Sequence, residues 1–141
     1  MVNAAEESTA DFYVNKHRLR FVPPDIMRVW WNGPCTRNDF ERIFEYGEHC
    51  MGNRKHFVLA DFSRLQTIDQ QTRKEAVEDH RVKRVAGLAI IGTTFHMRVL
   101  LGFIAKAVEF FHPEDHGHTR FFATDAEALQ WIAQERKRLG L

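Results

Sequence analysis

The sequence predicts an α/β domain: a mixed β-sheet, parallel in its second half, with four helices in the order β-β-β-α-β-α-β-α-β-α. Three observations carry that prediction. The runs HFVLAD (residues 56–61) and LAIIG (residues 88–92) are continuously apolar, as strands buried on both faces of a parallel sheet are. These runs and the shorter RFFAT (residues 120–124) are each followed by helix-period sequence, and such alternation implies parallel pairing through crossovers. Ahead of the first helix, three short extended segments lie close enough together to pair as antiparallel hairpins. At 141 residues the chain is long enough for one domain with a real core. Residues 1–10 read as a flexible tail and 11–141 as the single domain.

Taken in order, residues 12–14, 19–22 and 26–31 are the first strands, with VPPD (residues 22–25) turning the chain between the last two. In the third, Ile26, Arg28 and Trp30 alternate with Met27, Val29 and Trp31, so both faces are largely covered. NGP (residues 32–34) is expected to end it. Thr36 is the N-cap of the first helix, and Asp39 favours the positive end of its dipole. Phe40, Ile43, Phe44, Gly47 and Met51 give that helix an inward face. The second helix runs from Gln70 to about Arg84. It has few packing groups, chiefly Ala76, Val77, Val82 and Val85. Arg73, Lys74, Arg81, Lys83 and Arg84 give it a basic cast, partly offset by Glu75, Glu78 and Asp79. The third helix spans Phe95–Phe111, and the fourth opens with a capping box, Thr124 and Glu127, then buries Ala128, Trp131 and Ile132.

Composition excludes several classes of function. Lys and Arg number 20 against 19 Asp and Glu, so no global charge draws the chain to nucleic acid or to an anionic membrane. The start, MVNAAEESTA, has no apolar core of the kind a secretory signal needs. VLLGFIA (residues 99–105) is too short to span a bilayer, so no integral membrane segment is expected. Cys35 and Cys50 flank a helix and so stand roughly 20 Å apart, whereas a disulfide needs Cα atoms within about 7 Å. Both read as free thiols in a reducing cytoplasm. No cofactor is expected.

The segments FVLADFSRLQTID, LAIIGTTFHMRVLLGFI and RFFATDAEALQWI together resemble the STAS-type domain family, the fold of bacterial anti-sigma-factor antagonists, and most nearly its SpoIIAA-like (STAS/SEC14-like) branch. The resemblance covers roughly residues 12–136. It implies a SpoIIAA-like mixed sheet and a second helix that faces protein partners. Phospho-regulated members carry Asp-Ser-Ser-Gly at the strand-turn-helix corner. Here Asp69 matches the aspartate, but Gln70 and Gln71 stand at the serine positions and Thr72 at the glycine. An amide cannot accept a phosphoryl group, so the usual phosphoserine switch is absent. Ser63, Thr67 and Thr72 are nearby hydroxyls, and turn residues of this type are usually local hydrogen-bond partners.

Candidate sites follow from the fold. In open α/β sheets ligands gather at the carboxyl ends of parallel strands. Three loops are expected there: residues 62–69, 92–95 and 124–125. Asp69, Gln70, Gln71 and Arg73, with Thr93, Thr94 and Phe95, are therefore the partner- or ligand-binding candidates. At GTTF, either a threonine caps the third helix or its amides hold an anion. His112, His116 and His118 are spaced to clip zinc, but Pro113 and Gly117 break the element that would fix them, so no metal site is expected. No GxSxG elbow is present, and Cys35 has no histidine beside it, so no catalytic residue is assigned. On the third helix apolar side chains cover an arc of about 200°, twice the stripe that packing on one sheet needs. A homodimer or an apolar cleft is expected there, with Val99, Phe103 and Phe110 as its candidates. The favoured function is non-catalytic regulation or scaffolding through protein contacts. A carrier or sensor of a small, lipid-like ligand is second, and a hydrolase-type enzyme third.

Overall fold

The structure is a computed structural model that describes residues 10–114 and 116–141. Most of the expected tail therefore lies outside the described residues. Among those described, six strands form one sheet: β1 (Asp11–Val14), β2 (His17–Val22), β3 (Ile26–Cys35), β4 (His56–Ile68), β5 (Val85–Ile91) and β6 (His118–Phe122). They lie side by side in chain order. β1/β2 and β2/β3 are antiparallel, and β3/β4, β4/β5 and β5/β6 are parallel. The α-helices are α1 (Arg37–Met51), α2 (Gln70–Glu78), α3 (Phe95–Phe111) and α4 (Asp125–Leu139). The expected element order is the observed one.

Strand order fixes where the helices go. From β3 to β6 each parallel strand is added on the same side, so right-handed crossovers place all three connecting helices on one face. Residues of α1, α2 and α3 accordingly face Met27, Val29, Val58, Ala60, Leu88 and Ile90. α4 makes no crossover and covers the opposite face, where Ala128, Trp131 and Ile132 pack on Ile26, Phe57, Leu59, Ala89 and Ile91. Gly87 belongs to that face as well. A Cβ there would stand 3.0 Å from the Phe57 ring and 3.1 Å from Trp131. Arg136 of α4 donates from Nε and Nη2 to the buried Asp25 carboxylate at 2.9 and 2.6 Å, clamping the helix to the β2–β3 turn.

Two boundaries differ from expectation for identifiable reasons. NGP does not end β3. The strand continues to Cys35, and β4 continues with it to Ile68 through the pairs Asn32–Arg64, Gly33–Leu65 and Cys35–Ile68, with register shifts on either side of Gly33. Gly33 takes the positive φ (82°) that such a bulge admits. The buried His17 supports it: Nδ1 accepts from Asn32 N–H at 2.9 Å, which leaves Nε2–H to donate to the Pro34 carbonyl at 3.1 Å and Asp39 at 3.2 Å. The second helix stops at Glu78, not near Arg84. Asp79 takes an extended conformation and accepts from Arg81 N–H, starting a separate 3-10 turn over His80–Arg84. The expected cap of α1 is observed in full, and of the capping box expected at α4 the Thr124 half is observed. Thr36 and Asp39 form a capping box, and the Thr124 hydroxyl accepts from Glu127 N–H at 3.2 Å.

Candidate functional site

Between the sheet and the three crossover helices lies a cavity of ≈ 210 Å³. Its floor is Met27, Val29, Val58, Ala60, Leu88 and Ile90, and its walls are Phe40, Ile43 and Phe44 of α1 with Thr72 and Ala76 of α2. Leu101, Ile104, Ala105 and Val108 of α3 roof it. The space exists because α2 is short and lines it with only Thr72, Ala76 and, at one end, Arg73, which do not fill the gap that α3 spans. Polar groups are confined to the ends: Thr72 and Arg73 at one, His56, His118 and Thr119 at the other.

α3 has two apolar sides. Leu101 is its only buried residue among those described. On the outside, Phe95, Phe103 and Phe110 are 70%, 69% and 83% exposed, and Val99 and Phe111 are exposed too. Leu101, Ile104, Ala105 and Val108 line the hollow beneath this helix, and Val99, Phe103 and Phe110 do not. They form an exposed apolar row on the solvent side.

The α2 corner is laid out as an N-terminus. The Asp69 carboxylate accepts from Thr72 N–H at 2.7 Å. That contact with Thr72 holds its carboxyl below the usual range. Gln70 and Gln71 are exposed, while Arg73 turns inward to line the cavity. The corner does not join the other strand-end loops as anticipated. Residues 62–68 are strand, and roughly 26 Å of extended chain carries Asp69 away from Asp61. At the remaining corner, Asp61 accepts from Ser63 N–H and Oγ at 2.8 and 2.6 Å. A Cβ on Gly92, whose φ is +75°, would fall 2.2 Å from that Oγ. Only glycine fits. Thr94 caps α3, accepting from Met97 N–H at 3.2 Å, and Thr93 lies just ahead of it.

The three histidines are not brought together as ligands. His112 donates from Nε2 to the Val77 carbonyl at 2.9 Å, His116 donates from Nδ1 to the His112 carbonyl at 2.8 Å, and His118 lies 3.6 Å from Glu135. Burial pushes the Cys35 thiol up to about 12, aided by Asp39 and Asp69, so it is no nucleophile at neutral pH. Both cysteines are free.

Two charge clusters escaped the sequence. Arg81, buried in the 3-10 turn, donates to Asp79 at 2.7 Å, Glu41 at 2.8 Å and Glu48 at 3.2 Å, and its guanidinium lies over the Phe44 ring. Glu41, Glu75 and Asp79 stand close enough for one ion, but Glu41 and Asp79 are already paired with this guanidinium and Glu75 with Arg37. On the opposite face, Arg18, Arg28 and Arg20 surround Trp30 at 4.3, 4.6 and 5.7 Å from the ring centre, with Asp11 bridging Arg18 and Arg20. The alternation of Arg28 and Trp30 was a visible signal for that second cluster. For Arg81 only Asp79, two residues away, was in view, since its other partners lie 33 and 40 residues away.

No family model matches the sequence, and no curated protein matches it. Among solved structures the likeness is clear, and it defines the class: the chain has a SpoIIAA-like fold, a mixed α/β sheet with four helices. It is similar to an uncharacterised DUF3478-family protein with a SpoIIAA-like fold from Shewanella loihica PV-4. The TM-score is 0.59 and the identity 19%, covering 86% of this chain and 98% of that one. It is also similar to the anti-sigma factor antagonist SpoIIAA in its unphosphorylated form, with a TM-score of 0.54 and 13% identity over 83% of this chain and 97% of that one. At these identities the fold is what is shared. No helix of the described residues is long and apolar enough to cross a membrane.

Proposed function

We propose that this chain is a non-catalytic regulatory domain that works by binding: a small apolar ligand in the cavity and a protein partner on the outer face of α3. One observation carries this reading. α3 is apolar on both sides, with Ile104, Ala105 and Val108 over the cavity and Phe95, Phe103 and Phe110 facing out. A helix so placed couples what fills the cavity to what covers its outer face, because either event moves the same roof. Likeness to an anti-sigma factor antagonist supports the protein-contact half. Gln70 and Gln71 at the α2 corner make this a contact surface without a phosphoserine switch, and Asp69 there serves as the cap.

The protein-contact half is tested with the double variant Phe103→Glu/Phe110→Glu. Wild-type chain purified from its native cell should carry an associated protein, or a second copy of itself by solution mass, and the variant should lose it with its melting temperature unchanged. Equal association by both, or none by either, ends that half. The cavity half is tested separately below.

A further inference from the structure

The cavity is lined by 28 residues, of which none is Asp, Glu or Lys and one is Arg. That residue, Arg73, has a buried Nε that meets no hydrogen-bond partner, and it forms no ion pair among the described residues. Arg28 has an unmet Nε as well, but its guanidinium is paired with Asp125, and the other arginines drawn toward the interior are paired too. Arg81 is clamped on three carboxylates and Arg136 on the Asp25 carboxylate. Asp69, one helical turn before Arg73, is already engaged in capping α2. Arg73 thus brings a buried, unmet N–H to the end of an otherwise apolar space, and none of the described residues supplies its acceptor.

Building on the proposal that the cavity is a ligand site, we propose that its ligand is a medium-chain carboxylic acid, with the carboxylate on Arg73 and the hydrocarbon tail between the sheet and α3. Size sets the chain length. A cavity of about 150 Å³ admits benzene, so ≈ 210 Å³ holds a chain of roughly eight carbons. Charge sets the head group. One guanidinium balances one negative charge and matches a carboxylate fork to fork. A phosphate monoester would bring nearly two charges to a site with no second lysine or arginine, leaving one uncompensated in apolar surroundings. A neutral alcohol would leave the guanidinium charge unanswered.

The test is calorimetric titration of octanoate and 1-octanol into three proteins: wild type, Arg73→Gln and Ala105→Leu. Octanoate should bind wild type at least about tenfold tighter than octanol, the effect of a charge-assisted hydrogen bond. Arg73→Gln should bring octanoate down to the level of octanol. Ala105→Leu occupies part of the tail space and should weaken both. Chemical shifts of the Ile104 and Val108 methyls should move on binding to wild type. Equal affinity for acid and alcohol, or an acid preference that survives Arg73→Gln, overturns the assignment of the acid. If the alcohol then still binds and Ala105→Leu still blocks it, the cavity remains a ligand site for a different chemistry. Binding of neither compound overturns both.

Discussion

The two faces of this sheet are packed in opposite ways. On one, α4 sinks Ala128, Trp131, Ile132 and Glu135 below the surface, and packing is close enough that a Cβ at residue 87 would press on the Phe57 and Trp131 rings. On the other, α3 is two residues longer and far more apolar, yet buries Leu101 alone among its described residues and roofs a hollow. α4 is also anchored by charge at its end, through Arg136 and Asp25, whereas the charge on the hollow side joins α1 to α2 and the 3-10 turn around Arg81. Hydrophobicity alone thus does not determine burial. What decides is whether the opposing surface offers complementary shape. One face holds the fold together. The other keeps surface in reserve, as low-stability binding elements do.

The sharpest way to break that contrast is a pair of truncations. Ile132 is fully buried on the α4 face, so Ile132→Ala should cost about 2–5 kcal/mol in urea denaturation, lost transfer energy plus a residual cavity. Phe103, a larger side chain on the outside of α3, should change stability by less than about 0.5 kcal/mol when cut to alanine. Comparable losses at both positions would mean that α3 is packed in solution on something absent from the isolated fold.

Enlargement should give opposite signs. Ala105→Leu extends into the hollow and should stabilise by about 0.5–2 kcal/mol, as cavity filling does. Ala128→Leu meets a surface already filled and should destabilise by about 1–3 kcal/mol. Equal destabilisation would show the cavity collapsed in solution.

The sequence displayed this architecture but not this contrast. Strands such as LAIIG and helices with apolar periods announce themselves, because burial on both faces and a helical stripe leave direct marks in residue order. The hollow leaves none. α3 is apolar over about 200°, so no polar edge tells which half turns to the sheet; Val99, Phe103 and Phe110 were as eligible to face inward as Leu101, Ile104 and Val108. Arg73 was identifiable as a binding candidate only as part of a basic helix, and its inward turn depends on how α2 sits over Thr72 and the Cys35 carbonyl, which the Thr72 hydroxyl reaches at 3.5 Å. The extension of β4 to Ile68 was hidden because SRLQT carries polar residues that read as a loop. The long-range support at His17 and Asn32 holds the neighbouring strand in place there.

The smallest predicted effect probes the rim of the hollow face, where charge replaces apolar packing. Glu41 and Glu75 face each other across α1 and α2. The neighbouring Glu41 raises the Glu75 carboxyl above its ordinary 4.5, while a hydrogen bond from Glu75, backed by Arg81, lowers that of Glu41. A carboxyl with a raised folded-state value favours folding below its ordinary pKa and loses that contribution as pH rises through the folded value. Glu75→Gln keeps a donor toward Glu41 and removes the second charge. It also gives up the Arg37 contact, whose guanidinium is largely exposed and worth little. The variant should match wild type at pH 3, where position 75 is neutral in both proteins, and exceed it by a few tenths of a kcal/mol at pH 7. Urea midpoints at the two pH values check this. A variant that is weaker at pH 7 would show that the Arg37–Glu75 pair outweighs the repulsion, and that the α1–α2 rim is held by attraction throughout.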